Sequence, residues 1–149
     1  MTGQIYEVPD ADAMRAVAAR LAPDLRAGDV VVLVGPLGAG KTTFTQGLAD
    51  GLGVTGSVTS PTFVIAREHS SSSGGPALVH VDAYRLSSLA EIDDLDLDAA
   101  LDDSVTVVEW GEGLVERLTS SVIQVHIARD VAGAPDTRQV SVTWPPGRP

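Results

Sequence analysis

The sequence predicts a layered α/β domain with a mostly parallel central sheet, antiparallel strands at its edges and helices on both faces. Three observations carry that expectation. Short runs dominated by Val and Leu at 29–34, 77–82 and 104–109 have the length and β-branched content of strands buried on both faces. Stretches with apolar residues at helical spacing lie between such runs. A glycine-rich loop joins the first buried strand to the helix after it, the junction at which α/β sheets hold phosphates.

Taken in order, residues 10–21 form the first expected helix. Pro9 and Asp10 supply its start, and Met14, Val17, Ala18 and Leu21 fall on one face. Pro23 closes it and a turn at Gly28 leads into the strand at 29–34. After the glycine-rich loop, 42–52 reads as a helix that stops at Gly53. Residues 62–68 are strand-like, 70–75 (Ser-Ser-Ser-Ser-Gly-Gly) form a flexible link, and 77–82 is the next strand, so the two strands suit an antiparallel hairpin. Residues 86–103 are expected to hold one or two acidic helices, 104–109 a buried strand, 112–118 a short helix, and 122–128 and 138–144 the last strands. The Pro-Pro-Gly-Arg-Pro stretch at 145–149 reads as a frayed tail on a single domain spanning 1–149.

Composition narrows the function classes. With 149 residues and 44% apolar content, the chain is long enough for one substantial core. Its lack of cysteine excludes disulfides and thiolate metal sites. The early residues Glu7, Asp10 and Asp12 do not resemble a signal peptide, and no run is long enough to span a bilayer, so a cytoplasmic protein without membrane contact is expected. A net charge of −10 opposes tight, direct nucleic-acid binding by this chain alone, because such binding depends on Lys and Arg neutralising phosphates. Nine of the ten basic residues are Arg, and the single lysine is Lys41.

That lysine stands in Gly35-Pro36-Leu37-Gly38-Ala39-Gly40-Lys41-Thr42, which fits the pattern Gly, four residues, Gly, Lys, Ser or Thr. With 15 Gly, one Lys and 23 Ser plus Thr, a chance match has a probability of roughly one in 700. Such a P-loop binds a nucleoside triphosphate. Gly35, Gly38, Ala39 and Gly40 let backbone N–H groups turn inward, and Thr42 and Thr43 open a helix whose N-terminus favours anions. Lys41 would reach the β- and γ-phosphates, and the Thr42 hydroxyl would ligate Mg2+. The fold class therefore sharpens to a P-loop NTPase-type sandwich.

Phosphoryl transfer also needs a carboxylate near the metal and a group that orients the attacking water. Asp82 and Glu109 each end a buried strand, where parallel sheets place ligands. Either would serve as metal ligand or as water-orienting base, and the bland reading is a polar residue where a strand leaves the core. Thr62, between the P-loop helix and the next strand, suits sensing of the γ-phosphate through Mg2+, or simply starts a strand after Pro61. Arg85 suits either transition-state charge or a structural ion pair. The acids of 86–103 read as a solvated face, with a dock for a basic partner as the sharper alternative. His69, His80 and His126 lack ligand spacing and are not read as metal ligands. Matches to Asp-x-x-Gly at 50–53 and 130–133 are discounted, one closing a helix and the other following every other motif.

The common guanine-recognition motif needs a second lysine, which is absent, so ATP is the expected nucleotide. Four motifs, the loop through Phe44, Ser60-Pro61-Thr62-Phe63, His80-Val81-Asp82-Ala83-Tyr84-Arg85-Leu86 and Val108-Glu109-Trp110, occur in this order. Together they resemble the bacterial TsaE (YjeE) family, and the resemblance runs from about residue 6 to 144. It implies the ATPase component of the machinery that makes N6-threonylcarbamoyladenosine (t6A) in tRNA. By the same resemblance the partners are TsaD and TsaB, and tRNA is met only through that complex. Thr42 and Glu109 would hold Mg2+, Asp82 would be essential to hydrolysis, and Trp110 would lie beside the site. Pro36 departs from the Asp that the family often carries there, leaving the other phosphate donors in place. The rival functions are a small-molecule kinase and a nucleotide-gated binding module without turnover of its own.

Overall fold

The computed structural model describes residues 2–36, 40–54, 66–69, 76–82, 104–109, 122–129 and 137–147, with the backbone alone at 2, 66–69 and 82. In chain order the elements are β1 (Thr2–Val8), α1 (Ala11–Leu21), a 3-10 turn (Ala22–Asp24), β2 (Val30–Val34), α2 (Lys41–Leu52), β3 (Ala66–His69), β4 (Ala77–Asp82), β5 (Ser104–Glu109), β6 (Val122–Arg129) and β7 (Arg138–Trp144). The strands form one sheet in the order β1-β7-β6-β2-β5-β4-β3. Its centre is parallel: β2 lies between β5 and β6, and β5 continues to β4. Antiparallel pairs flank that centre, β3 with β4 on one side and β6-β7-β1 on the other. This is the mixed sheet expected from the sequence, including the antiparallel pairing of β3 with β4.

Alternation along each strand divides the sheet into two faces. Val31, Leu33, Val107, Val125 and Val142 meet Met14, Ala18, Phe44 and Leu48 of α1 and α2 in the main core. On the opposite face Val30, Val32, Val79, Val81 and Val108 are equally buried. The helices expected at 86–103 and 112–118 lie outside the described residues, as do the link 70–75 and residues 62–65 of the expected strand 62–68.

Local chemistry sets the two described helices. Asp10, in extended conformation, accepts from the Ala13 N–H at 2.8 Å and caps α1, whose buried face is the expected Met14, Val17, Ala18 and Leu21. Asp29 accepts from the Arg26 N–H at 2.9 Å, and the backbone of Gly28 and Asp29 bonds to Ser104 and Thr106. That turn therefore fixes β2 against β5 before the strand begins. Gly53, at φ 72°, ends α2, and the Gly53 and Val54 N–H groups bond to carbonyls of its last turn. The match at 50–53 is thus a helix stop.

Close approach of α1 to α2 depends on two glycines one turn apart. A Cβ at Gly47 would lie 2.4 Å from the Arg15 carbonyl oxygen, and one at Gly51 would lie 2.6 Å from the Ala22 Cβ. Small residues on both helices let the backbones touch, and α2 is seated on a rigid partner.

The sequence reading contains no strand at 2–8, yet β1 pairs with β7 over its whole length. Val8 and Tyr6 turn toward the core while Ile5, 68% exposed, faces outward. An exposed Ile between an exposed Gln4 and the inward Tyr6 breaks the alternation by which a half-buried strand is recognised.

Candidate nucleotide site

The site is built where β2 ends. Val34 is its last residue, Gly35 and Pro36 follow, and Gly40 begins the turn into α2. Gly40 has φ 109°, a left-handed conformation, and a Cβ there would meet the Met14 Cε at 3.2 Å. Both facts favour glycine: an L side chain is strained in that conformation, and α1 closes the space beside it. The Gly40 carbonyl accepts from the Phe44 N–H at 2.8 Å, so helical bonding starts at the loop's own last glycine. The N–H groups of the first turn of α2 have no earlier helical carbonyl to pair with, and they face the side from which the loop arrives.

Lys41 is 6% exposed, an unusual position for an ammonium group. Its Nζ donates to the Gly35 carbonyl at 2.8 Å and to the Pro36 carbonyl at 3.1 Å. The side chain thus reaches back from the helix to the start of the loop. The Thr45 hydroxyl donates to the Lys41 carbonyl at 3.0 Å, which ties the second turn of α2 to the first. Thr42 and Thr43 are partly exposed on the opening turn.

Parallel register brings the backbones of the two candidate acids, Asp82 and Glu109, to the same end of the sheet. Leu33 of β2 is paired with Glu109 of β5, and Glu109 is paired with Asp82 of β4. Both backbones therefore lie level with the last turn of β2, one and two strands from it. Glu109 is 5% exposed, and its Oε2 accepts from the Nε2 of the fully buried His80 at 2.5 Å. Among the described residues no group of three or more His, Asp or Glu side chains converges as a metal cage. A magnesium–nucleotide site takes one or two carboxylates and a hydroxyl, with phosphates and water completing the shell of the ion. A partly exposed hydroxyl at Thr42 and a buried carboxylate at Glu109 supply oxygen donors of that kind.

Comparison with known proteins decides the family. The family model described as threonylcarbamoyl adenosine biosynthesis protein TsaE matches residues 8–140. The chain belongs to the TsaE family. A Streptomyces coelicolor relative, named tRNA threonylcarbamoyladenosine biosynthesis protein TsaE, is 62% identical over 132 residues, covering 87% of this chain and 89% of the relative. A Mycobacterium tuberculosis protein of the same name is 48% identical over 149 residues, covering 95% and 88% of the two chains. The crystal structure of Bacillus subtilis YdiB matches with a TM-score of 0.75 at 32% identity, covering 96% of this chain and 86% of that one.

In this TsaE-family chain the site residues read from the sequence divide into two groups. Gly35, Gly40, Lys41, Thr42 and Thr43 lie where β2 passes into α2, and Glu109 ends the neighbouring strand β5. Leu37, Gly38, Ala39, Thr62, Arg85, Trp110 and the side chain of Asp82 lie outside the described residues, as does the acidic stretch. His80 lacks ligand spacing, and the sequence does not announce its contact with Glu109. No local signal marks that contact, because it depends on β4 pairing with β5 in parallel register. No helix among the described residues is long and apolar enough to cross a membrane.

Proposed function

We propose that this chain is the ATP-hydrolysing component of the t6A modification machinery and that it turns over in complex with TsaB and TsaD. One observation carries the reading. The sole lysine of the chain is buried at the mouth of a glycine-rich loop, one strand from a buried carboxylate at the same sheet end.

Binding of ATP exchanges the Lys41 contacts with the Gly35 and Pro36 carbonyls for phosphate oxygens, a gain of charge for charge. Backbone N–H groups of the loop and of the first turn of α2 take the remaining phosphate oxygens. Thr42 and Glu109 would hold Mg2+, with Asp82 and Thr62 as further candidates, and the ion would supply positive charge against the phosphates. Of Asp82 and Glu109, the one not on the ion orients the attacking water. The net charge of −10 supports a role in which tRNA is met through partners.

Measuring phosphate release by the purified chain, alone and with the TsaB–TsaD pair, tests this reading. Turnover is expected to rise on adding the pair and to fall at least about 100-fold in Glu109→Ala, the scale of losing a charge-stabilising group. Turnover indifferent both to the pair and to Glu109→Ala overturns it.

A further inference from the structure

We propose that His80 is a positioning residue that sets the direction of the Glu109 carboxylate. The inference rests on the reading of Glu109 as part of a magnesium–nucleotide site. His80 lies on β4 opposite Val107, while Glu109 lies opposite Asp82, so the contact runs diagonally between the two strands. Both groups are buried, at 0% and 5% exposure, and the contact is 2.5 Å. A carboxylate only accepts, so the ring nitrogen facing it carries the proton.

The other ring nitrogen, Nδ1, is buried and has no hydrogen-bond partner among the described residues. Among those residues the ring's polar anchorage is Glu109. The buried Leu78 and Val107 share His80's face of the sheet, and an apolar side chain would fill that place without leaving a buried nitrogen unpaired. A purely packing role gives no reason for an imidazole; holding one carboxylate oxygen does. The contact uses Oε2 and stills a side chain with several rotatable bonds, which leaves Oε1 aimed in one direction for the ion or the attacking water. His80 thus stands to Glu109 as outer-shell partners stand to metal ligands.

Two measurements test this, and the first needs neither metal nor turnover. In the nucleotide-free protein, the imidazole 15N–1H signal of His80 Nε2 should move in Glu109→Gln, which exchanges an anionic acceptor for a neutral amide. An unmoved signal means the pair does not exist, and the proposal falls. The second compares His80→Leu with His80→Gln, whose amide N–H can occupy the place of Nε2; thermal melts show that both variants are folded. For His80→Leu the magnesium enhancement of binding to a fluorescent ATP analogue should fall about 10- to 100-fold. His80→Gln should restore most of it, and binding in EDTA should stay within about twofold for both. Equal behaviour of the two variants, or no change in either, overturns the positioning role. Wild-type protein that binds magnesium–nucleotide through this pair yet never releases phosphate refutes the ATPase reading and leaves the His80 assignment standing. Turnover that is intact in the wild type and in His80→Leu does the reverse.

Discussion

Replacing Gly47 by alanine sets two effects against each other. Alanine is the better helix former, and in an open helix position the exchange would stabilise by about 1 kcal/mol. At Gly47 the added Cβ would lie 2.4 Å from the Arg15 carbonyl oxygen, 2.7 Å from the Arg15 Cα and 2.8 Å from the Ala18 Cβ. Two of these three atoms are backbone, so no side chain can swing away. Relief requires α1 and α2 to part by about 1 Å, and overpacking of this kind costs about 1–3 kcal/mol. The rigid neighbours put Gly47→Ala near the upper end, so the net loss is about 2 kcal/mol once the propensity gain is subtracted. For a chain of this size that corresponds to a fall in Tm of roughly 4–8 °C. Urea unfolding followed by circular dichroism measures it, with an unchanged slope showing that the native state alone was affected. The double variant Ala18→Gly/Gly47→Ala separates the contacts: removing the Ala18 methyl leaves the clash with the Arg15 backbone, so most of the loss persists. A Gly47→Ala protein as stable as the wild type, or more so, would refute the helix–helix contact.

Three other perturbations probe the cap, the loop and the lysine. Gly40→Ala forces an alanine into φ 109° beside Met14 and should cost about 1–2 kcal/mol, read as a drop in the unfolding midpoint together with weaker nucleotide binding. Asp10→Ala removes the acceptor of the Ala13 N–H and should cost about 1 kcal/mol, whereas Asp10→Asn, which caps equally well, should melt with the wild type. Lys41→Gln takes away the charge that answers phosphate and should weaken ATP-analogue binding by about 1.5–3 kcal/mol, roughly tenfold or more, in a fluorescence titration. The fold should survive that change, since a buried ammonium is removed with it; affinity within twofold of wild type would contradict the phosphate-binding role of Lys41.

The elements that could be read from the sequence are those whose pattern is local. β2, β4 and β5 show as short Val-rich runs, unbroken only in β2, because both faces of each are buried. α1 shows as a 3.6-residue repeat, with Met14, Val17, Ala18 and Leu21 buried as the spacing predicts. β1 escapes the same reading because Ile5 points to solvent, and an outward Ile is indistinguishable in sequence from an inward one. Gly47 and Gly51 are legible as helix-weakening residues, but their use appears only once α1 is seen against them.

The loop from Gly35 to Thr42 is where the sequence by itself went furthest. Its glycines, lysine and threonine lie within eight successive residues, so residue type and spacing suffice to recognise the pattern. The family was equally accessible, because its motifs are short contiguous strings. Strand order was not, since apolar runs look alike whether they pair with one neighbour or another. Only the fold puts β5 beside β2, levels Glu109 with Leu33, and turns the Glu109 carboxylate onto His80, twenty-nine residues back in the chain. Contacts between residues distant in sequence depend on which strands pair and in what register, and that is decided by burying both faces of the whole sheet at once.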